Sequence, residues 1–215
     1  NFAFVGSHLL MSHPMRADMV KRFGRGGFAL IYSAISLASF YWVVVEFLRA
    51  PKEAPYWTGT DILWGIASAL TLFASVLFVG SLVRNPSLPG ASDSLAAQKP
   101  LGVFQVTRHP MMWGFALWGT AHILIAPRLD NLIFSGSIIF LALIGSKAQE
   151  RKKARIIGVG WGTWLRQTSF FPRVTALGRI GAATWIIGII LWLVATWGHN
   201  FFGVYGAGMF RWISG

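Results

Sequence analysis

The chain reads as an all-α fold, an integral membrane bundle of about six transmembrane helices with a short interfacial helix. Three observations carry this reading. The 215 residues are 54% hydrophobic, with a mean hydropathy of +0.56. Only 12% are charged, against about 25% in soluble domains. The apolar runs are separated by loops that alternate between strongly basic and nearly uncharged. A single domain over 1–215 accommodates this, since a span takes about 20 residues.

Residues 1–11 read as the tail of a first span, cut short at its N-terminus. The chain opens on Asn1 rather than Met, with no legible signal-peptide cleavage pattern or lipidation motif. Ser12-His13-Pro14 is a helix start, because Pro suits the first helical turn. Met15, Met19 and Phe23 then recur at i, i+4 and i+8 with basic residues on other faces, and Gly24 stands as a C-cap. That pattern predicts a short helix lying on the membrane surface. Apolar runs follow at 27–48 (broken only by Glu46), 62–83, 110–126, 132–146 and 180–198, which with the first makes six. Tyr56, Trp57, Trp185 and Trp197 lie near span ends, as aromatic belts do. The apolar, Gly-rich residues 201–215 are expected at an interface.

Loops 12–26, 84–110 and 147–179 hold fifteen of the nineteen Lys and Arg residues. They are the first, third and fifth connections, so a six-span chain places them on one side. The positive-inside rule makes that side cytoplasmic and the protein a multi-pass protein of the cell inner membrane. The charge is thereby read as topology and contact with an anionic lipid bilayer, with no nucleic-acid partner. There is no cysteine, which excludes disulfides, thiolate metal sites, iron–sulfur clusters and thiol catalysis.

Ionisable groups inside a membrane are costly and are therefore function candidates. His122 lies within the uncharged run 110–126, and His8 lies in the first apolar stretch. Two imidazoles from different helices, one on each face of a porphyrin, would make a six-coordinate haem b, with both histidines as metal ligands. His8 falls roughly 8 Å nearer the cytoplasm than His122 by helical rise, which tilting would have to absorb. A histidine bonded across helices, or one near the outer interface, is the other reading of His122. Gly114 and Gly119 precede His122 near the same face, where small residues admit another helix or a flat macrocycle. His13 and His199 read as interfacial and structural.

Arg108-His109-Pro110 opens the fourth run, with His109 near the N-cap. An Arg at a helix N-terminus is a natural anion site, for a lipid phosphate, a haem propionate or a cofactor carboxylate. His109 and His122 are thirteen residues apart, about 140° around the axis, so one straight helix cannot join them in a site. Residues 147–155 read as a cytoplasmic extension of the fifth helix. Glu150 there reads as a surface ion pair, or as part of a cofactor pocket below His109. The long Pro- and Gly-rich loop 85–107 has the character of a lid or binding loop.

FVGSHLLMSHPMRADMVKRFG, RNPSLPG, TRHPMMWGFALWGTAHILIA and ERKKARIIGVGWGTWLRQTSFFP, in that order, cover most of the chain. Together they resemble the NnrU family, which is similar to the plant 15-cis-zeta-carotene isomerase, a haem b membrane enzyme. The resemblance implies that His8 and His122 match the isomerase's axial histidines and His109 a further histidine of its RHP motif. It implies carotenoid or other polyene isomerisation on an apolar substrate, or redox sensing in the nitrogen-oxide metabolism of denitrification. Gly119 stands where the isomerase has a cysteine that switches haem ligation, so that switch is impossible here. A weaker resemblance links RHP, Glu150 and the Pro-ended aromatic segment to isoprenylcysteine-type membrane methyltransferases. It implies S-adenosylmethionine bound on the cytoplasmic side. A third expectation is a non-catalytic accessory subunit of a larger membrane protein complex.

Overall fold

The computed structural model describes residues 1–88, 91–203 and 206–213. Residues 89–90 of the expected binding loop, and 204–205 and 214–215 of the C-terminal segment, lie outside the described residues. In chain order the helices are α1 (Phe2–Ser12), α2 (Arg16–Arg49), α3 (Asp61–Gly80), α4 (Val103–Val106), α5 (Pro110–Ile125), α6 (Leu129–Ile157), α7 (Val159–Gln167), α8 (Ala182–Gly198) and α9 (Phe210–Ile213). No strand occurs among the described residues. The fold is an all-α membrane bundle.

Four helices are long and apolar enough to cross a membrane: α2, α3, α6 and the stretch Ala182–Phe201 that contains α8. The other two apolar runs form shorter helices. α5 has 16 residues, about 24 Å at 1.5 Å per residue. Pro110 sets its start and Pro127 its end, because the residue before a proline avoids helical geometry. The expected surface helix and second span meet at Gly24 within α2, where the backbone (φ 72°, ψ 174°) leaves helical geometry and separates two helices. Only glycine adopts that conformation without cost, so Gly24 stands at the break where the short helix was expected to end.

Helix pairing runs α1 and α2 together, both on α6, then α6 on α5, α5 on α3 and α3 on α8. Close approach rests on small residues. A Cβ at Gly119 would lie 3.1 Å from the Ser135 carbonyl of α6, and one at Gly188 would lie 2.8 Å from the Val76 Cα of α3. Van der Waals packing of this kind holds membrane helices together, since lipid supplies no hydrophobic drive between them. Trp192 Nε1 also donates to Thr71 Oγ1 across the α3–α8 seam at 3.0 Å.

The most buried cluster sits at one end of the bundle. Val76, Leu77, Val103, Phe104, Val106, Trp161, Trp164, Ala176 and Ile180 meet there. This end also carries the basic connections, and α7 and the turn Val174–Arg179 cap it, burying Trp161, Trp164 and Ala176. At the opposite end three of the four basic residues are matched by carboxylates. Lys52 and Arg128 pair with Asp130, at 2.8 and 3.2 Å, and Arg211 pairs with Asp61 at 2.8 Å. The charge asymmetry of the loops is therefore sharper in three dimensions than along the chain.

Candidate functional site

At the basic end, the backbone entering α5 is held by the strap that follows α7. Arg108 N–H donates to the Ser169 carbonyl at 2.8 Å, and Arg173 N–H to the Val106 carbonyl at 2.9 Å. The Phe170 carbonyl accepts from both Thr107 Oγ1 and Trp113 Nε1, each at 2.7 Å. His109 is the N-cap of α5 (φ −121°, ψ 57°), with Pro110 immediately inside the helix. Pro at that position removes an amide that would have no helical partner.

Glu150 reaches this corner from the extension of α6, which runs on to Ile157 as the charged segment 147–155 suggested. Its Oε1 accepts from His109 Nε2 at 3.1 Å and lies 3.5 Å from Arg108 Nη1. Lys147 Nζ stands 3.9 Å from the other carboxylate oxygen and 3.8 Å from the Phe170 ring centroid. The His109 side chain is 1% exposed, Arg108 13% and Glu150 16%. The structure thus joins two sequence candidates, Arg108 and His109, to a third, Glu150.

Burial pushes the His109 pKa down, opposed only in part by the Glu150 hydrogen bond and charge. A neutral His109 still carries the Nε2 proton that it donates. Burial alone would raise the Glu150 pKa. The His109 hydrogen bond and the charges of Arg108 and Lys147 outweigh it and hold the carboxyl below its ordinary value. With His109 neutral, Arg108 is the closest charge doing so. Burial lowers the Arg108 pKa, Glu150 opposes this and Arg173 adds to it, yet a guanidinium stays charged at any physiological pH. One carboxylate therefore faces Arg108 and Lys147, and the corner is net positive. Arg108 Nε is buried without a hydrogen-bond partner, as are Trp161 Nε1 and Trp164 Nε1. Unsatisfied buried donors are rare and call for an explanation.

The histidines proposed as axial ligands lie apart. His8 faces α2: Tyr32 Oη donates to its Nε2 at 2.5 Å, and its Nδ1 donates to Ser36 Oγ at 3.3 Å. Both ring nitrogens are engaged. The His122 ring packs on Trp118, with centroids 4.1 Å apart, and donates Nδ1–H to the Trp118 carbonyl at 2.8 Å. Depth separates the two as well. Asn1 and Ala3 share a groove with Asp130 and Ile133 at the far end of α6, and His8 lies five residues deeper, about 7.5 Å. The His122 carbonyl accepts from Asn131, at that far end. The faces beside Gly114 and Gly119, where a macrocycle was one expectation, are filled by α3 and α6. His8 and His122 as placed do not fit the two sides of one haem, and no step is derived through that group.

His199, read as interfacial and structural, is the neighbour that His122 does meet. Their ring centroids are 5.9 Å apart and their planes 25° apart. The signal was topological: both follow their spans toward the end opposite the basic loops. Among the described residues, no group of three or more His, Cys, Asp or Glu is placed to hold a metal ion.

No curated protein and no solved structure matches the chain. The family model described as NnrU protein matches residues 1–206, and the chain belongs to the NnrU family.

Proposed function

We propose that the chain is a membrane enzyme that binds S-adenosylmethionine at the Arg108–His109–Glu150 corner, on the cytoplasmic side of the inner membrane, and uses it for methyl transfer. The observation that carries this reading is Glu150, forty-one residues from His109 and yet hydrogen-bonded to it beside Arg108. The resemblance to isoprenylcysteine-type methyltransferases implies such a meeting of RHP and a distal glutamate. The charge pattern suits a zwitterion. Arg108, with its free Nε–H, receives a carboxylate, and Glu150 receives an ammonium group. Bound S-adenosylmethionine supplies an electrophilic methyl group on a sulfonium. The Trp113 and Phe170 rings flank the corner and limit water. Exposed Phe171, Val174 and Val159 at this level favour an acceptor that comes from the bilayer. The basic connections at this end support a cytoplasmic placement by the positive-inside rule.

The test is equilibrium dialysis of labelled S-adenosylmethionine against detergent-purified protein, with an absorption spectrum of the same sample. Binding that falls at least 10-fold in Arg108→Lys and Glu150→Gln, with folding checked by thermal melting, supports the reading. A Soret band lost on His8→Ala or His122→Ala overturns it in favour of haem b. A colourless protein that binds no S-adenosylmethionine and co-purifies with a membrane complex overturns it in favour of an accessory subunit.

A further inference from the structure

We propose that His122 and His199 form a copper site at the end of the bundle opposite the basic loops. It is independent of the methyl-transfer reading, since the two sites lie at opposite ends. His122 stands in the last turn of α5, and His199 opens the 3₁₀ turn His199–Phe202 after α8. Each ring is held in the same way. His122 Nδ1 donates to the carbonyl of Trp118 and His199 Nδ1 to that of Ala195, both at 2.8 Å and both four residues back. A proton committed to Nδ1 leaves Nε2 bare, and this second contact is what orients histidines that bind metals. Neither Nε2 has a hydrogen-bond partner among the described residues.

The spacing of the two rings suits one shared ion. A metal bonded to two imidazole nitrogens, about 2 Å from each, holds the ring centroids within about 6 Å of each other. The observed separation is 5.9 Å, with planes 25° apart. No third His, Cys, Asp or Glu completes a group among the described residues, so the protein offers two neutral nitrogen donors and no charge. Zinc favours four ligands in structural sites. Monovalent copper is satisfied by two nitrogens in line, and copper also heads the affinity order for divalent ions at imidazole sites. Both histidines are partly exposed, which leaves an entry path from the aqueous boundary, and Trp118 covers one side of the His122 ring.

The purified full chain in detergent is titrated anaerobically with cuprous ion in competition with a colorimetric chelator. His199→Ala, His122→Ala and His13→Ala are run beside the wild type, and X-ray absorption counts the nitrogen ligands. The expected result is one bound equivalent with two imidazole nitrogens. Affinity falls at least 10-fold in His199→Ala and His122→Ala and is unchanged in His13→Ala. A wild type that does not compete with the chelator overturns the proposal. So does His199→Ala that binds copper as tightly as wild type while melting at the same temperature.

Discussion

The two ends of this bundle use histidine in opposite ways. At the basic end His109 is buried, its Nε2 proton is committed to Glu150, and the segment around it is tied to a strap more than sixty residues away. At the far end the Nδ1 atoms of His122 and His199 bond to carbonyls four residues back, and Nε2 of each is left open. The first arrangement couples a side chain to the fold, and the second couples it to whatever arrives from outside. A substitution at the basic end should therefore cost stability, whereas one at the far end should cost only ligand binding.

The largest expected effect is Glu150→Ala, which strands Arg108 and His109 in a half-buried corner. Removing one partner from such a network costs about 2–4 kcal/mol, read as a lowered melting temperature in detergent. Gly119→Leu comes next. Its side chain meets Ile139 and the Ser135 carbonyl, and overpacking of that kind costs about 1–3 kcal/mol. Its loss should match in samples with and without S-adenosylmethionine. Thr71→Val removes the acceptor of Trp192 Nε1, and interhelical hydrogen bonds in membranes average about 0.6 kcal/mol. His199→Ala should change melting by less than about 0.5 kcal/mol, as surface substitutions do. A large loss of stability there would break the contrast between the two ends.

Acid sharpens the same contrast. The His109 pKa is lowered by burial, so its contribution to stability is present above about pH 6.5 and is lost as pH falls through its folded value. Glu150 is also lowered, so its contribution is present above its ordinary value of 4.5 and is lost as pH falls further. Both signs agree: melting temperature should drop as pH is taken from 7 toward 4. Glu150→Gln should flatten the lower part of that curve.

Helix content, the basic face and the extension of α6 were legible in the sequence, because hydropathy and charge act locally. The break at Gly24 between the short helix and the second span was legible too, because a glycine after an amphipathic run marks where the backbone can leave helical geometry. In the site, Arg108 and His109 were visible as a helix start with a cation. Glu150 was visible only as two alternatives, because its partner lies on another helix. For the same reason spacing alone does not single out His199 as the ring beside His122. Residue spacing gives depth along one helix, and which helix lies beside it depends on small residues such as Gly119 that fit several neighbours.

The Phe170 carbonyl holds both Thr107 and Trp113, so the strap and the start of α5 move as one piece. α7 is linked to α6 through Gly158, whose φ of 64° makes it a natural joint. The turn at Gly158 folds α7 back so that Trp161 and Trp164 enter the core cluster at this end. A residue with a Cβ at that position would strain the turn, so the seating of both tryptophans depends on one glycine.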